Sequence, residues 1–227
     1  MNASYLISYG EKGSLQYGEL PEPVLKKQSV LVEVKAVSVN PVDWKTRQGA
    51  LKILLGSKFP MIIGSDFAGI IKELAPGVVS FKAGDRVYGA IPAFSKTPGA
   101  LAEIALVHQK DLRRMPDWLS FEEAASLPVA ALTATNGLRR CSVQEGTRLL
   151  VNGATGGVGH FAVQAAKAKG AISNSDYHMH LQELELIPEK VKECLTSDSH
   201  IKEIAAVYKD MPNFLYLGRG FNFPVAL

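Results

Sequence analysis

The sequence predicts an α/β fold, α+β overall, in which a β-barrel precedes a strand–turn–helix unit. Runs that alternate apolar and polar side chains, separated by Gly and Pro turns, recur up to Val107 and are typical of short barrel strands. Residues 148–167 then pass from an apolar run through a glycine-rich turn into a segment with helical spacing. The chain of 227 residues, 47% of them hydrophobic, is long enough for one large or two modest domains.

The strand-like runs come first and the helical patterns follow. The runs cover residues 3–9, 14–19, 29–39, 62–74, 86–91 and 101–107. The segment Ser120–Glu123 is a capping box, because a hydroxyl at the helix start is followed three residues later by a carboxylate, and it predicts a helix to about Ser126. A second helix of small residues is predicted over Pro128–Leu138, and Thr147 begins the strand that leads to the glycine turn.

The glycine turn has a spacing that suits a bound dinucleotide. Gly153, Gly156 and Gly159 follow a G-x-x-G-x-x-G pattern, and Ala154 in place of the first glycine fits the G/A-x-G-x-x-G fingerprint as well. Positions without side chains permit a sharp turn and the close approach of a pyrophosphate, which amides at the helix start can hold. A purely structural turn is the alternative. The predicted cofactor-binding residues of this turn are Gly153, Ala154, Thr155, Gly156, Gly157, Val158 and Gly159.

The residues after the helix do not continue the pattern. A dinucleotide-binding fold has a second strand that ends in an acidic or basic residue about 20 positions on. Here residues 172–186 have no strand character. Helical spacing from Leu181 to Leu195, a helix over 201–208 and a short buried strand over 213–217 are predicted instead. We expect strand 148–152 to pair in parallel with strand 213–217.

Charge and cysteine content exclude several classes. Residues 1–171 carry 20 Lys+Arg and 14 Asp+Glu without a basic block, which is too dilute to indicate a nucleic-acid partner. Cys141 and Cys194 are isolated and support neither a disulfide framework nor a zinc site. The N-terminus lacks a signal-peptide pattern, and no apolar run reaches the length of a membrane span, so a cytoplasmic protein without a membrane partner is predicted.

Five motifs in order carry a family resemblance. They are Asn40-Pro-Val-Asp-Trp-Lys-Thr-Arg-Gln-Gly49, Pro60-Met-Ile-Ile-Gly-Ser-Asp-Phe-Ala-Gly69, Gly84-Asp-Arg-Val-Tyr-Gly89, Leu132-Thr-Ala134 and Val151-Asn-Gly-Ala-Thr-Gly-Gly-Val-Gly-His-Phe-Ala-Val-Gln164. Residues 1–171 thereby resemble the zinc-independent quinone oxidoreductase branch of the medium-chain dehydrogenase/reductases. The resemblance implies a GroES-like barrel over residues 1–125 and the start of a Rossmann domain over residues 126–171.

The resemblance argues against a metal. In the zinc-dependent branch a Gly-His-Glu segment stands where this chain has Gly64-Ser65-Asp66, and a metal-binding Cys stands near Asn40. Zinc needs several converging Cys, His or carboxylate ligands, and the barrel offers His108 as its one soft candidate. No metal site is predicted.

The resemblance implies hydride transfer from NADPH to a small-molecule quinone or enone. It places the predicted catalytic residues Asn40 and Asp43 at the substrate and nicotinamide cleft, and Thr133 near the cofactor. Each has a structural alternative: Asn40 precedes Pro41 as a turn opener, Asp43 could cap a short helix, and Thr133 could be ordinary helix packing. Asp66, in an apolar strand, is interpreted as a hydrogen-bonded structural carboxylate.

The last residues resemble a different family. Residues 172–227 are similar to a fragment of the sugar isomerase domain of glucosamine-6-phosphate synthase, whose catalytic Glu, Lys and His would lie beyond Leu227. The chain is therefore interpreted as a chimera of two truncated families, with incomplete oxidoreductase function and weak NADPH binding. A sugar-phosphate isomerase fragment and a catalytically silent chimera are the alternatives. A two-stranded sheet would leave apolar surfaces exposed, which predicts a homo-oligomer.

Overall fold

The computed structural model describes residues 1–10, 14–95 and 97–173. These residues divide into two compact units, one that ends at Val129 and one that begins at Ala130. The helices predicted between Leu181 and residue 208 and the strand predicted over 213–217 lie outside the described residues, and so does the isomerase-like segment from residue 174 onward.

The first unit contains eight strands and three short helices before the long helix α4 begins. The strands are β1 (Asn2–Leu6), β2 (Leu15–Glu19), β3 (Ser29–Ser38), β4 (Met61–Ile62), β5 (Asp66–Leu74), β6 (Arg86–Ala90), β7 (Ile104–His108) and β8 (Leu112–Arg114). The helices are α1 (Pro41–Gln48), α2 (Lys52–Leu55), α3 (Phe121–Ala125) and α4 (Pro128–Arg140), and one 3₁₀ turn covers Gln109–Asp111.

These strands form two antiparallel sheets. The larger has five strands in the order β7-β3-β5-β6-β8, and the smaller has three in the order β2-β1-β4. The predicted barrel is therefore not closed by hydrogen bonds among the described strands. A bridge between Ala3 and Ala102 is the point at which β1 meets the segment before β7.

The long strand β3 explains how the larger sheet is held. Val30 and Val32 point into a core that also contains Phe67 and Ile71 of β5. Leu31 packs on the opposite face in a second apolar cluster. Both faces of the first half of β3 are therefore buried, whereas the alternating side chains of residues 29–39 are typical of a strand with one exposed face.

Helix α3 begins at the predicted capping box. The Ser120 hydroxyl accepts from the N–H of Glu123, and the Glu123 carboxylate accepts from the N–H of Ser120. The helix spans Phe121–Ala125, so the predicted boundary near Ser126 is confirmed.

Ser120→Ala tests this cap. Loss of the hydroxyl leaves one N–H of the first turn without its acceptor, and we expect the free energy of unfolding to fall by about 1 kcal/mol. Thermal or urea unfolding measures this change. Thr135→Ala on the exposed face of α4 is the matched control, and an equal loss in both variants would contradict a specific role for the cap.

The second unit contains the glycine turn. Strand β9 (Arg148–Leu149) is followed by α5 (Gly157–Ala168) and by β10 (Ile172–Ser173). Ala162 and Ala166 of α5 pack against Leu149 and Val151 in one apolar cluster, as the helical spacing predicts.

The sequence prediction that residues 172–186 have no strand character is wrong for the first two of them. Ile172 and Ser173 form β10, which pairs in parallel with Arg148 and Leu149. Gly170 has φ of 74° and ends α5, because the left-handed region suits a glycine. The N–H of Ala171 then donates to the carbonyl of Ala166. The helix end directs the chain back beside β9, where residues 172 and 173 pair with it. The polar residues that follow Ser173 give no indication of this pairing in the sequence. The β9 ladder is also shorter than the predicted 148–152.

Candidate active site

A buried polar network lies in the first unit, where β3 ends and β5 begins. The antiparallel register pairs Ser38, the last residue of β3, with Asp66, the first residue of β5. The Ser38 hydroxyl donates to Asp66 Oδ2 over 3.0 Å. Register therefore places a hydroxyl beside a carboxylate that lies 28 residues away in the sequence.

Asp66 is fully buried and accepts three hydrogen bonds. Besides Ser38, its donors are the Asn40 side-chain amide at 2.9 Å and the backbone N–H of Val129 at 2.9 Å. Burial is the largest influence and raises the pKa of Asp66 to about 7, against the effect of these donors. The interpretation of Asp66 as a hydrogen-bonded carboxylate agrees with these contacts, although its near-neutral pKa was not foreseen.

Asn40 and Asp43 are held together at the start of α1. The N–H of Asn40 donates to Asp43 Oδ2 over 2.7 Å, and the N–H of Asp43 donates to the Asn40 carbonyl over 2.9 Å. The Ser65 hydroxyl donates to Asp43 Oδ1 over 3.1 Å. Burial raises the pKa of Asp43, and the hydrogen bonds from Asn40 and Ser65 act in the opposite direction. The structural alternative for Asp43, a capping carboxylate, is thus realised, and Asn40, which was interpreted as a turn opener, is the N-cap of α1. Neither position prevents a role in catalysis.

The same network borders a cavity of about 510 Å³ within the first unit. Most of its walls are apolar, including Ile63, Ile91 and Met61, while Asp43 and Ser65 contribute polar groups. A concave apolar site with a few convergent polar groups is the usual form of a small-molecule site. The cavity volume lies within the range of sites that bind drug-sized ligands.

The second unit holds the predicted phosphate turn. Gly153 has φ of 75°, which favours glycine, and its carbonyl accepts from the N–H of Gly156 over 2.9 Å. A Cβ on Gly159 would lie 2.1 Å from the Gly153 carbonyl oxygen and 2.8 Å from the Cα of Ala154. The first turn of α5 can therefore approach the glycine turn only because residue 159 lacks a side chain. The N–H groups of that first turn have no partner inside the helix and can bind an anion.

The remaining predicted site residues also lie in the second unit. Thr155 is exposed at the tip of the turn, and Ala154, Gly157 and Val158 are half-buried. Thr133 is exposed on α4. His160 is exposed on α5, and its Nε2 lies 2.8 Å from the Gln164 side-chain nitrogen.

Sequence reasoning missed Ser38 and Ser65 as site residues. Ser65 lies in the Gly64-Ser65-Asp66 segment, which stands where the zinc-dependent branch has Gly-His-Glu. That comparison drew attention to this position only because a metal ligand is missing there, and it did not indicate a role for the serine hydroxyl. Ser38 has no local signal, because the β3–β5 register alone brings it to Asp66.

Neither a metal cluster nor a membrane helix is found in the part of the chain that the structure describes. No group of three or more His, Cys, Asp or Glu residues there is placed to hold a metal ion. No described helix combines the length and the apolar character that crossing a bilayer requires.

Dialysis against a chelator tests the metal prediction. We expect the melting temperature to stay unchanged, because structural metal binding is coupled to folding and its removal would lower stability. Differential scanning calorimetry before and after dialysis gives the measurement. A lower melting temperature that Zn²⁺ restores would reveal a site that the sequence does not indicate.

Comparison with known protein sequences relates the described region to oxidoreductases. Residues 26–117 match the alcohol dehydrogenase GroES-like domain. A chloroplast envelope quinone oxidoreductase homolog of Arabidopsis thaliana is 40% identical over 178 residues, 75% of this chain and 54% of that protein. A mitochondrial NAD(P)H oxidoreductase of Homo sapiens is 34% identical over 187 residues, 74% of this chain and 47% of that protein. The chain spans about half the length of these curated relatives.

Solved structures give the same relationship. The quinone oxidoreductase from Coxiella burnetii superposes with a TM-score of 0.70 at 34% identity, over 83% of this chain and 61% of that chain. The quinone oxidoreductase from Thermus thermophilus, which was also solved in complex with NADPH, gives a TM-score of 0.61 at 33% identity, over 76% of this chain and 52% of that chain.

Proposed function

We propose that this chain reduces a quinone or an enone with NADPH. The premise is that it carries a quinone oxidoreductase-like segment of the medium-chain dehydrogenase/reductases with a GroES-like domain. A nicotinamide cofactor is the partner that we expect for this segment. This expectation is supported by relatives named as NAD(P)H oxidoreductases and by a similar structure solved with NADPH.

The observation that carries the proposal is the close approach of Gly159 to Gly153. A side chain at residue 159 would fill the space that the turn leaves beside the helix start. Gly153, Gly156 and the amides of residues 157–159 fit a pyrophosphate, because they offer donors at a helix N-terminus with no side chain in the way. When bound, NADPH would supply a hydride to the acceptor.

The first unit offers a place for the acceptor. Its cavity has apolar walls that suit a ring, and the Ser65 hydroxyl and the Asp43 carboxylate lie at its edge. Asn40 orients Asp43 through its backbone N–H, so the carboxylate has a fixed position against the cavity. Positioning of this kind is the main contribution that a protein makes when the cofactor carries the chemistry.

The direct test follows the absorbance of NADPH with a soluble quinone and with an enone. We expect turnover by the native chain, and we expect Asp43→Asn to lower kcat by roughly tenfold to a hundredfold, since it alters the polar group at the cavity edge. Asp117→Asn, an exposed carboxylate in the same unit, is the matched control. Absence of NADPH oxidation with every acceptor, in a chain that binds NADPH, would contradict the proposed reaction.

Several earlier predictions stay predictions. Weak NADPH binding rested partly on a missing second strand, and β10 supplies the start of one. Cytoplasmic localisation is open, because relatives are named as chloroplast or mitochondrial proteins. Three further predictions depend on residues that the structure does not describe, and no contact in the described units favours them. They are homo-oligomerisation, the chimeric origin and the sugar isomerase alternative.

A further inference from the structure

Two carboxyl groups are buried in one polar network, and none of the ion pairs among residues 1–10, 14–95 and 97–173 reaches them. Asp43 is 4% exposed and Asp66 is 0% exposed. The ion pairs found among the described residues join other side chains, and none includes Asp43 or Asp66. Two buried negative charges without a basic partner are costly, because each loses its hydration and each repels the other.

A single residue holds both carboxyl groups. Asn40 donates its backbone N–H to Asp43 Oδ2 over 2.7 Å and its side-chain amide to Asp66 Oδ2 over 2.9 Å. The hydroxyl groups complete the network, with Ser65 donating to Asp43 and Ser38 donating to Asp66. A change of charge on one carboxyl group therefore alters the proton affinity of the other, both by direct electrostatic repulsion and through the hydrogen bonds of Asn40.

We propose that Asp43 and Asp66 form a coupled acid pair that takes up its first proton on Asp66 as pH falls through neutrality, while Asp43 keeps the negative charge. Ser38 permits both states, since its hydroxyl can donate to an ionised Asp66 Oδ2 or accept from a protonated one. Asp43 lines the cavity, whereas Asp66 is not part of its lining. Asp66 is thus a positioning residue that sets the charge which Asp43 presents to the cavity.

The electrostatic surroundings agree with this assignment. Burial raises the pKa of Asp66 to about 7, and the negative charge of Asp43 adds to the increase. Among the described charged groups, Asp43 is the one that acts on Asp66 by its charge, because the other neighbours are Ser38, the Asn40 amide and the Val129 N–H. Asp66 therefore takes the proton first as pH falls, and Asp43 keeps its charge to lower pH.

The pair has a consequence for substrate choice, which rests on the proposed function. A carboxylate at the cavity wall disfavours acceptors that carry a carboxylate or sulfonate, and favours uncharged quinones and enones. Lys58 and the N-terminal ammonium of Met1 also line the cavity. Lys58 is exposed and its charge is screened by solvent, and the ammonium donates to the Leu20 carbonyl.

The deciding experiment is a pH titration of the aspartate carboxyl carbons by ¹³C NMR, on the full chain without cofactor or substrate. In the native chain we expect the Asp43 and Asp66 signals each to report both midpoints of the pair, as coupled groups do. Asp43→Asn should lower the midpoint of Asp66, because the repelling charge is gone. Ser38→Ala should raise that midpoint, because a donor to the ionised form is lost.

The control is Asp117→Asn, which should leave both midpoints in place. Independent single-step titrations of Asp43 and Asp66 in the native chain would overturn the proposal, and so would an Asp66 midpoint that Asp43→Asn does not move. The native titration decides the matter even if a variant fails to fold. Neutral and carboxylate-bearing quinones compared in native and Asp43→Asn chains form a second arm, and failure of all turnover there would count against the proposed reaction alone.

Discussion

Gly159→Ala is expected to abolish NADPH binding at the concentrations where the native chain binds it. The new Cβ would lie 2.1 Å from the Gly153 carbonyl oxygen, and backbone atoms cannot yield as the end of a flexible side chain can. Helix propensity alone would favour the substitution by about 1 kcal/mol. Overpacking against backbone typically costs about 1–3 kcal/mol or more, so the clash outweighs the propensity gain and moves α5 away from the turn.

The measurement is a titration that follows energy transfer from tryptophan to the reduced nicotinamide. Ala168→Ser, an exposed change near the end of the same helix, is the matched control and should bind as the native chain does. Gly156→Val extends the test, because it would obstruct the turn itself. If Gly159→Ala binds NADPH with native affinity, the turn does not hold the pyrophosphate, and the observation that carries the proposed function is lost.

The second large effect concerns stability and pH. Asp66 has a folded-state pKa of about 7 and an ordinary value of 3.8. As pH rises above 3.8 the unfolded chain loses this proton while the folded chain keeps it, so the folded state binds more protons and stability falls. The contribution is fully present below about pH 4 and is lost as pH approaches 7. A shift of about three units corresponds to roughly 4 kcal/mol.

Urea unfolding of native and Asp66→Asn chains between pH 4 and 8 isolates this contribution. Asn cannot ionise, so the stability of the native chain relative to Asp66→Asn should decline by roughly 4 kcal/mol across that range and stay level above pH 7. The Asp117→Asn chain, in which an exposed carboxyl is removed, should track the native chain throughout. A constant difference between native and Asp66→Asn chains would mean that Asp66 ionises normally in the folded state.

Local chemistry made several features readable without coordinates. The capping box at Ser120 and Glu123 spans three residues, and the two side chains that identify it in the sequence are the ones that form its hydrogen bonds. The glycine spacing from Gly153 to Gly159 could be read for a similar reason, since both the positive φ and the close approach occur within one turn. The alternation of apolar residues also predicted the β-rich first unit and the α/β character of the second.

Contacts between distant residues could not be predicted in this way. Ser38 meets Asp66 through the register of β3 and β5, and a slip of one residue would turn either side chain to the other face. The strand at Ile172 exists because a glycine ends α5 and returns the chain beside β9, not because its own residues favour a strand. The two sheets remain open for the same reason, as closure depends on strand pairing over the whole unit.

The sequence by itself predicted an α/β chain with a tight glycine turn from Gly153 to Gly159, and its motifs resemble those of quinone oxidoreductases. The turn could be predicted because the steric requirements of its glycines act between residues close together in the chain. Only the tertiary structure decided that Asp43 and Asp66 are buried together and joined by hydrogen bonds from Asn40. Ionisation of a buried group depends on all the atoms that replace water around it, and those atoms come from β3, β5, α1 and the start of α4.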